Sequence, residues 1–189
     1  MKQFALSRNG VGAVPLILAL VVVLAGFLLL SRNWQPERDV TKYVQGTAAG
    51  PSGSRAAPAF SLKDTNGNIY SSAQLAGKPA VINFFATYCP PCREEIPGFV
   101  EVYNKHKEKG FELIGISLDT DTRGNLPGFL MSNKIGYRIL HGDLATARAY
   151  GGVSAIPTTF FVGRDGEIKN VHVGYLDKDT FDREVMKLL

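Results

Sequence analysis

The chain has 189 residues, of which 45% are hydrophobic and 20% are charged, and it contains two cysteines. Its length suits one domain with an additional segment, because domains cluster at about 100 to 150 residues. The composition excludes a wholly disordered chain, a collagen-like fibre and a coiled coil. Two cysteines also exclude a scaffold that depends on many disulfides.

The formal net charge of +4 lies in the N-terminal part of the chain. Residues 1–57 carry six basic and two acidic side chains, whereas residues 58–189 carry fifteen of each sign. A domain that binds nucleic acid carries its basic excess on the folded surface that neutralises phosphates. We therefore expect no nucleic-acid partner.

Residues 11–30 form an apolar run without a charged residue. A helix of this length, at about 1.5 Å of rise per residue, spans roughly the 30 Å hydrocarbon core of a bilayer. A cleaved secretory signal is the alternative, but its apolar region is normally about 7 to 15 residues long and ends in a small-residue cleavage site. The run therefore predicts one uncleaved N-terminal transmembrane helix after a short tail, residues 1–10. The Lys and Arg residues on its two sides leave its orientation open.

Residues 40–57 are rich in Gly, Ala, Ser and Thr and poor in large apolar side chains. Such a composition is typical of a flexible tether. We therefore expect residues 31–57 to be a flexible linker and residues 58–189 to be the globular domain.

The first half of the globular domain predicts a strand, a helix and a second strand. Residues 80–85 are an apolar run typical of a strand that is covered on both faces. Residues 90–109 carry apolar side chains at helical spacing, with two prolines at the start and a glycine after the end. Residues 111–118 are a second buried strand. A strand, helix and strand in this order form a crossover whose two strands are parallel.

The second half of the domain predicts shorter elements. Residues 158–162 and 168–173 are two strands joined by a glycine-containing hairpin turn, and residues 179–189 are an amphipathic helix. Ahead of them the pattern predicts a short helix at residues 126–133, a strand at residues 136–140 and a second short helix at residues 144–150. The whole predicts an α/β domain with a mixed sheet flanked by helices.

The two cysteines, Cys89 and Cys92, stand between the first predicted strand and the first turn of the predicted helix. At a helix N-terminus the unpaired N–H groups and the helix dipole stabilise a thiolate, and pKa values of about 3.5 to 7.5 occur in this motif. Only the thiolate attacks a disulfide. We therefore expect Cys89 to be the exposed nucleophile, and Cys92, one turn deeper, to resolve the mixed disulfide.

A structural disulfide and a zinc site are the other interpretations of the two cysteines. A bridge of this spacing closes a very small loop and constrains little of the unfolded chain. Zinc would need two more ligands, and His106, His141 and His172 do not lie at a paired spacing. We expect these histidines to be surface or hydrogen-bonded residues, with no bound metal and no cofactor.

A second motif lies where Ile156, Pro157 and Thr158 open a predicted strand. Alone, this tripeptide is a weak signal. Downstream of a Cys-x-x-Cys helix it becomes specific, because a cis proline there would project the preceding backbone toward the thiols.

The segment NFFATYCPPCREE (residues 83–95), the Ile156-Pro157-Thr158 turn and the final hairpin resemble the thioredoxin fold. They are most similar to its membrane-tethered TlpA/ResA-like branch, which includes the reductases of cytochrome c maturation. The resemblance covers residues 58–189. It implies a thioredoxin-like mixed sheet with an insertion at residues 119–150, a cis Pro157 beside the redox pair and a kink at Pro97.

Two positions depart from the pattern of these families. Tyr88 replaces the Trp that commonly precedes the first cysteine, and Asn83 replaces a buried Asp that aids proton transfer to the second cysteine in thioredoxin. Glu95 is a candidate substitute, because it follows Cys92 by three residues on the helix and could exchange the Cys92 proton. The alternative is a solvated surface side chain like that of Glu94.

The resemblance implies a membrane-tethered thiol-disulfide oxidoreductase on the extracytoplasmic, periplasmic side of the cell membrane, with residues 1–10 in the cytoplasm. It implies reduction of disulfides in protein clients such as apocytochrome c and a membrane thiol donor that keeps the pair reduced. The residues leave the direction open, because potentials in this class run from about −270 to about −120 mV. The alternatives are a copper-delivery module on the same fold, which would use a downstream His, and a thiol peroxidase, for which Thr87 lies too close to Cys89.

Overall fold

A computed structural model describes residues 55–189. The predicted tail (1–10), the predicted transmembrane helix (11–30) and nearly all of the predicted linker lie outside the described residues. Within the described range no helix is long and apolar enough to cross a membrane.

The described residues contain eight strands and four α-helices. The strands are β1 (Arg55–Ala56), β2 (Ser61–Lys63), β3 (Ile69–Ser71), β4 (Ala80–Phe85), β5 (Glu112–Ser117), β6 (Arg138–His141), β7 (Thr158–Val162) and β8 (Glu167–Val173). The helices are α1 (Pro90–His106), α2 (Leu126–Ser132), α3 (Leu144–Ala149) and α4 (Lys178–Leu188). Short 3₁₀ turns cover Ser72–Leu75, Lys107–Lys109 and Arg123–Asn125.

Six strands form one mixed sheet in the order β1-β8-β7-β4-β5-β6. β4 pairs in parallel with β5 and antiparallel with β7, and β5 pairs in parallel with β6. This arrangement confirms the predicted parallel crossover, the hairpin and the mixed thioredoxin-like sheet. α1 ends earlier than predicted, at His106, and Gly110 with φ 78° closes the 3₁₀ turn that follows it.

The side chains of β4 pack into two hydrophobic cores, one on each face of the sheet, because successive side chains of a strand point to opposite faces. Val81 and Phe85 pack on the side of α1 and α4, whereas Ile82 and Phe84 pack on the side of α3 and the β2–β3 hairpin. All six residues of β4 are buried. The strand that leads to Cys89 is therefore a rigid central element.

α4 packs against α1 and covers the core on that face of the sheet. Phe181 of α4 is fully buried and stacks on Phe99 of α1, with ring centroids 3.9 Å apart. Burial of one such side chain contributes about 1.5 to 3 kcal/mol. This contact fixes the C-terminal helix, and the loop before it, against the helix that begins at the cysteines.

The structure corrects the predicted end of the linker. Arg55 and Ala56 form β1, an edge strand that pairs antiparallel with Ile168 and Glu167 of β8. The predicted linker reached residue 57, so its last residues belong to the sheet. The sequence gives no sign of this strand, because two residues are too few for an alternating apolar pattern.

The β2–β3 hairpin was not predicted. Each strand has three residues, and only Leu62 and Tyr70 are buried at their centres. The turn is closed by the Asp64 side chain, which accepts hydrogen bonds from the backbone N–H groups of Asn66 and Asn68, each at 2.9 Å. Such local side-chain bonds stabilise a turn without a hydrophobic signature.

Candidate functional site

The Cys89–Cys92 disulfide sits at the N-terminus of α1, with the two Cα atoms 5.3 Å apart. Cys89 is the N-cap residue, and Pro90 and Pro91 fill the first helical positions. Because proline has no N–H group, Cys92 offers the first N–H of the helix. That N–H donates to Cys89 Sγ at 3.3 Å. The prolines therefore leave one donor in the first turn, and it points at the first cysteine.

The two cysteines differ in accessibility in the order predicted, although both are buried in the disulfide form. Cys89 is 6% exposed and Cys92 is 0% exposed. Tyr88 is 61% exposed, so most of the aromatic ring faces solvent beside the disulfide. Cys89 is therefore the cysteine of the pair that a client disulfide can reach.

The Ile156–Pro157 peptide bond is cis, as the resemblance implies. The carbonyl oxygen of Ile156 lies 3.7 Å from Cys89 Sγ. On the other side of the proline, Gly174 N–H donates to the Pro157 carbonyl at 2.8 Å. The fold thus brings Pro157 to the disulfide, and its role in client contact stays a prediction.

Glu95 is buried in α1, one turn after Cys92, with 2% of its surface exposed. Asn83 Nδ2 donates to Glu95 Oε1 at 2.9 Å, and the Leu176 N–H donates to Glu95 Oε2 at 3.1 Å. Burial raises the pKa of Glu95 to about 8, although the bonds from Asn83 and Leu176 pull it down. The alternative of a solvated side chain is wrong for Glu95, whereas Glu94 is exposed.

Asn83 has a definite role at the position where thioredoxin carries an acid. Its side chain lies on the α1 side of β4 and donates to Glu95 Oε1 and, at 3.0 Å, to Thr159 Oγ1. An amide cannot take up or release a proton at neutral pH. The buried acid of this site is therefore Glu95, and Asn83 orients it.

Behind the active-site turn lies a buried polar cluster that the sequence pattern does not predict. Asp119, just past β5, is 1% exposed and accepts hydrogen bonds from Thr87, Ser117 and Thr122. Thr87 lies two residues before Cys89. The only sequence signal was Ser-x-Asp at the end of a strand parallel to the one that leads to the cysteines, since such ends meet at one edge of a sheet.

Two of the three histidines, His106 and His172, take part in hydrogen bonds within the domain. His106 Nε2 lies 2.6 Å from Asp182 Oδ1, and His172 Nε2 lies 3.0 Å from the Tyr175 carbonyl oxygen. These contacts confirm the predicted hydrogen-bonded state of His106 and His172. The described part of the chain has no group of three or more His, Cys, Asp or Glu residues that could hold a metal ion.

The class of protein follows from the surroundings of the disulfide. A cysteine pair caps the helix that follows the central strand of a mixed sheet, and a cis proline faces its first sulfur. This combination defines a thioredoxin-fold thiol-disulfide oxidoreductase, because a helix N-terminus favours a thiolate and the thiolate is the form of cysteine that attacks a disulfide.

Comparison with known proteins leads to the same class. The chain belongs to the AhpC/TSA family, whose model matches residues 54–171. It is 31% identical over 131 residues to the thiol-disulfide oxidoreductase ResA of Oceanobacillus iheyensis, which covers 67% of this chain and 68% of the relative. It is 32% identical over 119 residues to ResA of Bacillus subtilis, covering 62% of this chain and 65% of the relative.

A solved structure gives the same answer for the fold. The crystal structure of a thiol:disulfide interchange protein of the thioredoxin family from Chlorobium tepidum superposes with a TM-score of 0.67 at 35% identity. The match covers 74% of this chain and 99% of the Chlorobium chain. The resemblance to the TlpA/ResA-like branch is thus confirmed, and the chain is a thiol-disulfide oxidoreductase.

Proposed function

We propose that this chain is a single-pass membrane protein whose oxidoreductase domain lies on the extracytoplasmic side and reduces disulfides in protein clients. The observation that carries the catalytic part is the Cys89–Cys92 pair at the start of α1, with the buried acid Glu95 one turn further on. The apolar run at residues 11–30 supports the anchor.

The exchange has two steps. In the reduced protein the Cys89 thiolate attacks one sulfur of a client disulfide, the client S–S bond breaks, and the other client sulfur leaves as a thiolate that takes a proton. Cys92 then loses its proton and attacks Cys89 Sγ, which forms the Cys89–Cys92 disulfide and releases the first client sulfur. Two electrons pass to the client, and a membrane thiol donor returns two electrons to the pair.

Glu95 takes the proton of Cys92 in the second step. Both side chains are buried and lie three residues apart on α1, so water has little access to the Cys92 thiol. A general base works best when its pKa lies near the working pH, and burial raises the pKa of Glu95 to about 8. The carboxyl can thus gain and lose a proton near neutrality.

The client class follows from the branch that the chain resembles and from the chemistry of the pair. An apocytochrome c offers a Cys-x-x-Cys-His haem-attachment segment, whose two cysteines must be reduced before haem can be attached. Neither client nor donor needs a cofactor on this chain.

Glu95→Gln tests the proposed proton transfer. We expect insulin reduction near pH 7 to slow by about 10²-fold, the lower end of what a general base contributes. The deficit should shrink at high pH, where hydroxide removes the Cys92 proton. The measurement is the rate of insulin reduction between pH 6 and 9.

A second readout of the same variant reports burial of the acid rather than catalysis. Between its ordinary pKa of 4.5 and about 8 the folded chain holds a Glu95 proton that the unfolded chain releases, so stability falls as pH rises. The fall is about 1.4 kcal/mol per pKa unit, or a few kcal/mol in all. Urea unfolding of the oxidised protein at pH 5 and 9 should show this loss in the natural chain and not in Glu95→Gln. Glu94→Gln is the matched exposed control. If the natural chain, Glu95→Gln and Glu94→Gln showed the same dependence of insulin reduction and of stability on pH, the role of Glu95 would be contradicted.

Thiol labelling tests the location of the domain. Because the chain has no cysteines besides Cys89 and Cys92, a labelled thiol reports this pair alone. After mild reduction, a membrane-impermeant maleimide should label the full-length protein in intact cells, or in spheroplasts where an outer membrane is present. Labelling that requires lysis would place the domain in the cytoplasm and overturn the proposed orientation.

A further inference from the structure

The Asp119 carboxylate accepts hydrogen bonds from four neutral donors behind the active-site turn. Thr87 N–H donates to Oδ2 at 3.0 Å and Thr87 Oγ1 donates to Oδ1 at 2.6 Å. Ser117 Oγ donates to Oδ2 at 2.7 Å, and Thr122 Oγ1 donates to Oδ1. Both carboxylate oxygens are thus occupied, and Thr87 is the only partner that belongs to the active-site turn.

The acceptor is a carboxylate rather than a neutral acid. Burial alone would raise the pKa of Asp119, but the bonds from Thr122, Thr87 and Ser117 together hold the pKa below its ordinary value. A carboxylate is an acceptor only, so all four donors can point at it at once. An Asn side chain in its place would present an NH₂ group to donors that need an acceptor.

The position of Thr87 makes this cluster relevant to Cys89. The turn from β4 to α1 spans residues 86–88, and the Cys89 N–H closes it by donating to the Ala86 carbonyl at 3.2 Å. Behind it, the Leu118 N–H donates to the Phe85 carbonyl at 2.8 Å. Thr87 is then the point at which the turn is tied to the segment after β5, while Tyr88 projects into solvent.

We propose that Asp119 is a positioning residue for thiol-disulfide exchange, and that it acts through Thr87. By fixing the turn, the Asp119 carboxylate keeps Cys89 Sγ within 3.3 Å of the Cys92 N–H, which donates to it, and beside the Ile156 carbonyl. The Cys92 N–H stabilises the Cys89 thiolate only while this alignment lasts. The inference depends on exchange at this cysteine pair and is independent of the proposed membrane location and client.

Two effects of Asp119 on Cys89 have opposite signs, and this makes the proposal testable. If Asp119 positions the turn, its loss misaligns Cys89 and raises the pKa of the thiol. If Asp119 acted only as a nearby negative charge, its loss would lower that pKa, because a like charge disfavours the thiolate. The sign of the shift therefore separates the two roles.

The test measures the Cys89 pKa from the rate of alkylation by iodoacetamide against pH, in full-length chains that also carry Cys92→Ser. Thr87→Val removes the hydroxyl donor and leaves the carboxylate in place. We expect it to raise the Cys89 pKa by about one unit, which reduces alkylation at low pH about tenfold. Thr87→Ser keeps the donor and should restore the natural profile.

Asp119→Asn should shift the profile in the same direction as Thr87→Val, and the two changes together should shift it by less than the sum of the single shifts, since both remove the bond between the Thr87 hydroxyl and the Asp119 carboxylate. Asp121→Asn, an exposed acid two residues away, is the matched control and should change nothing. A lowered Cys89 pKa in Asp119→Asn, or an unchanged pKa in Thr87→Val, would overturn the proposal. Should Asp119→Asn fail to fold, the Thr87 pair decides the question alone, because those chains keep the carboxylate.

Discussion

Cys89→Ser should reduce insulin no faster than the reductant alone, although the domain should still fold. A serine hydroxyl stays protonated at neutral pH and cannot form a disulfide, so the first attack is lost. Cys92 cannot replace Cys89, because it is 0% exposed and lies one helical turn inside. The measurement is insulin precipitation with dithiothreitol as the electron source, corrected for the rate without protein.

The fold is expected to survive this change because the disulfide closes a loop of only a few residues and contributes little to stability. Ser is also close in volume to Cys, so the space that Cys89 occupies in the core stays filled. Circular dichroism and a thermal melt, compared with the chemically reduced natural chain, check this expectation. Insulin turnover by folded Cys89→Ser at the natural rate would show that Cys89 is not the attacking thiol.

The elements that the sequence predicted well are those with a local cause. β4 is an apolar run of six residues with the length of an ordinary buried strand, and α1 starts at two prolines and ends at His106, one 3₁₀ turn before Gly110. These signals need no knowledge of distant residues. The cysteine pair lies between this strand and this helix, so its place at a helix N-terminus could be predicted from the same local signals.

Pro157 illustrates a different kind of prediction. Nothing in Ile156-Pro157-Thr158 alone distinguishes a cis from a trans bond, and the expectation came from the resemblance that the cysteine motif supports. The contact between Ile156 and Cys89 joins residues 67 apart in the chain. A local pattern cannot encode such a separation, whereas a family resemblance carries the whole fold with it.

The electrostatic surroundings of the pair could not be predicted from local pattern, because they depend on long-range contacts. Helical spacing predicts that Glu95 lies near Cys92. It cannot show that the N–H of Leu176, 81 residues away, donates a hydrogen bond to the Glu95 carboxyl group. Asp119 meets Thr87 across 32 residues, and only the parallel pairing of β4 and β5 brings them together. Burial raises the pKa of Glu95 and hydrogen bonds lower the pKa of Asp119, and both effects are properties of the assembled domain.

Cys92→Ser should convert the protein into a trap for its clients. Cys89 can still attack a client disulfide, but the thiol that would resolve the mixed disulfide is gone. The remaining bond lies at Cys89, a residue that is only 6% exposed in the disulfide form, so outside thiols reach it slowly. On non-reducing gels of cell extracts we expect adducts that collapse to the free chain when dithiothreitol is added.

The double variant Cys89→Ser/Cys92→Ser is the matched control, because it has no thiol at all and can form no adduct. Mass spectrometry of adducts present only in the single variant identifies the clients. If the proposed client class is correct, Cys-x-x-Cys-His segments should be enriched among them, with the bond to Cys89 on one of the two cysteines of that segment. Abundant adducts without such segments would reject apocytochrome c and leave the exchange chemistry intact. An absence of adducts from cells that express the folded variant would contradict exchange at Cys89 itself, since no other step of the cycle can release a captured client.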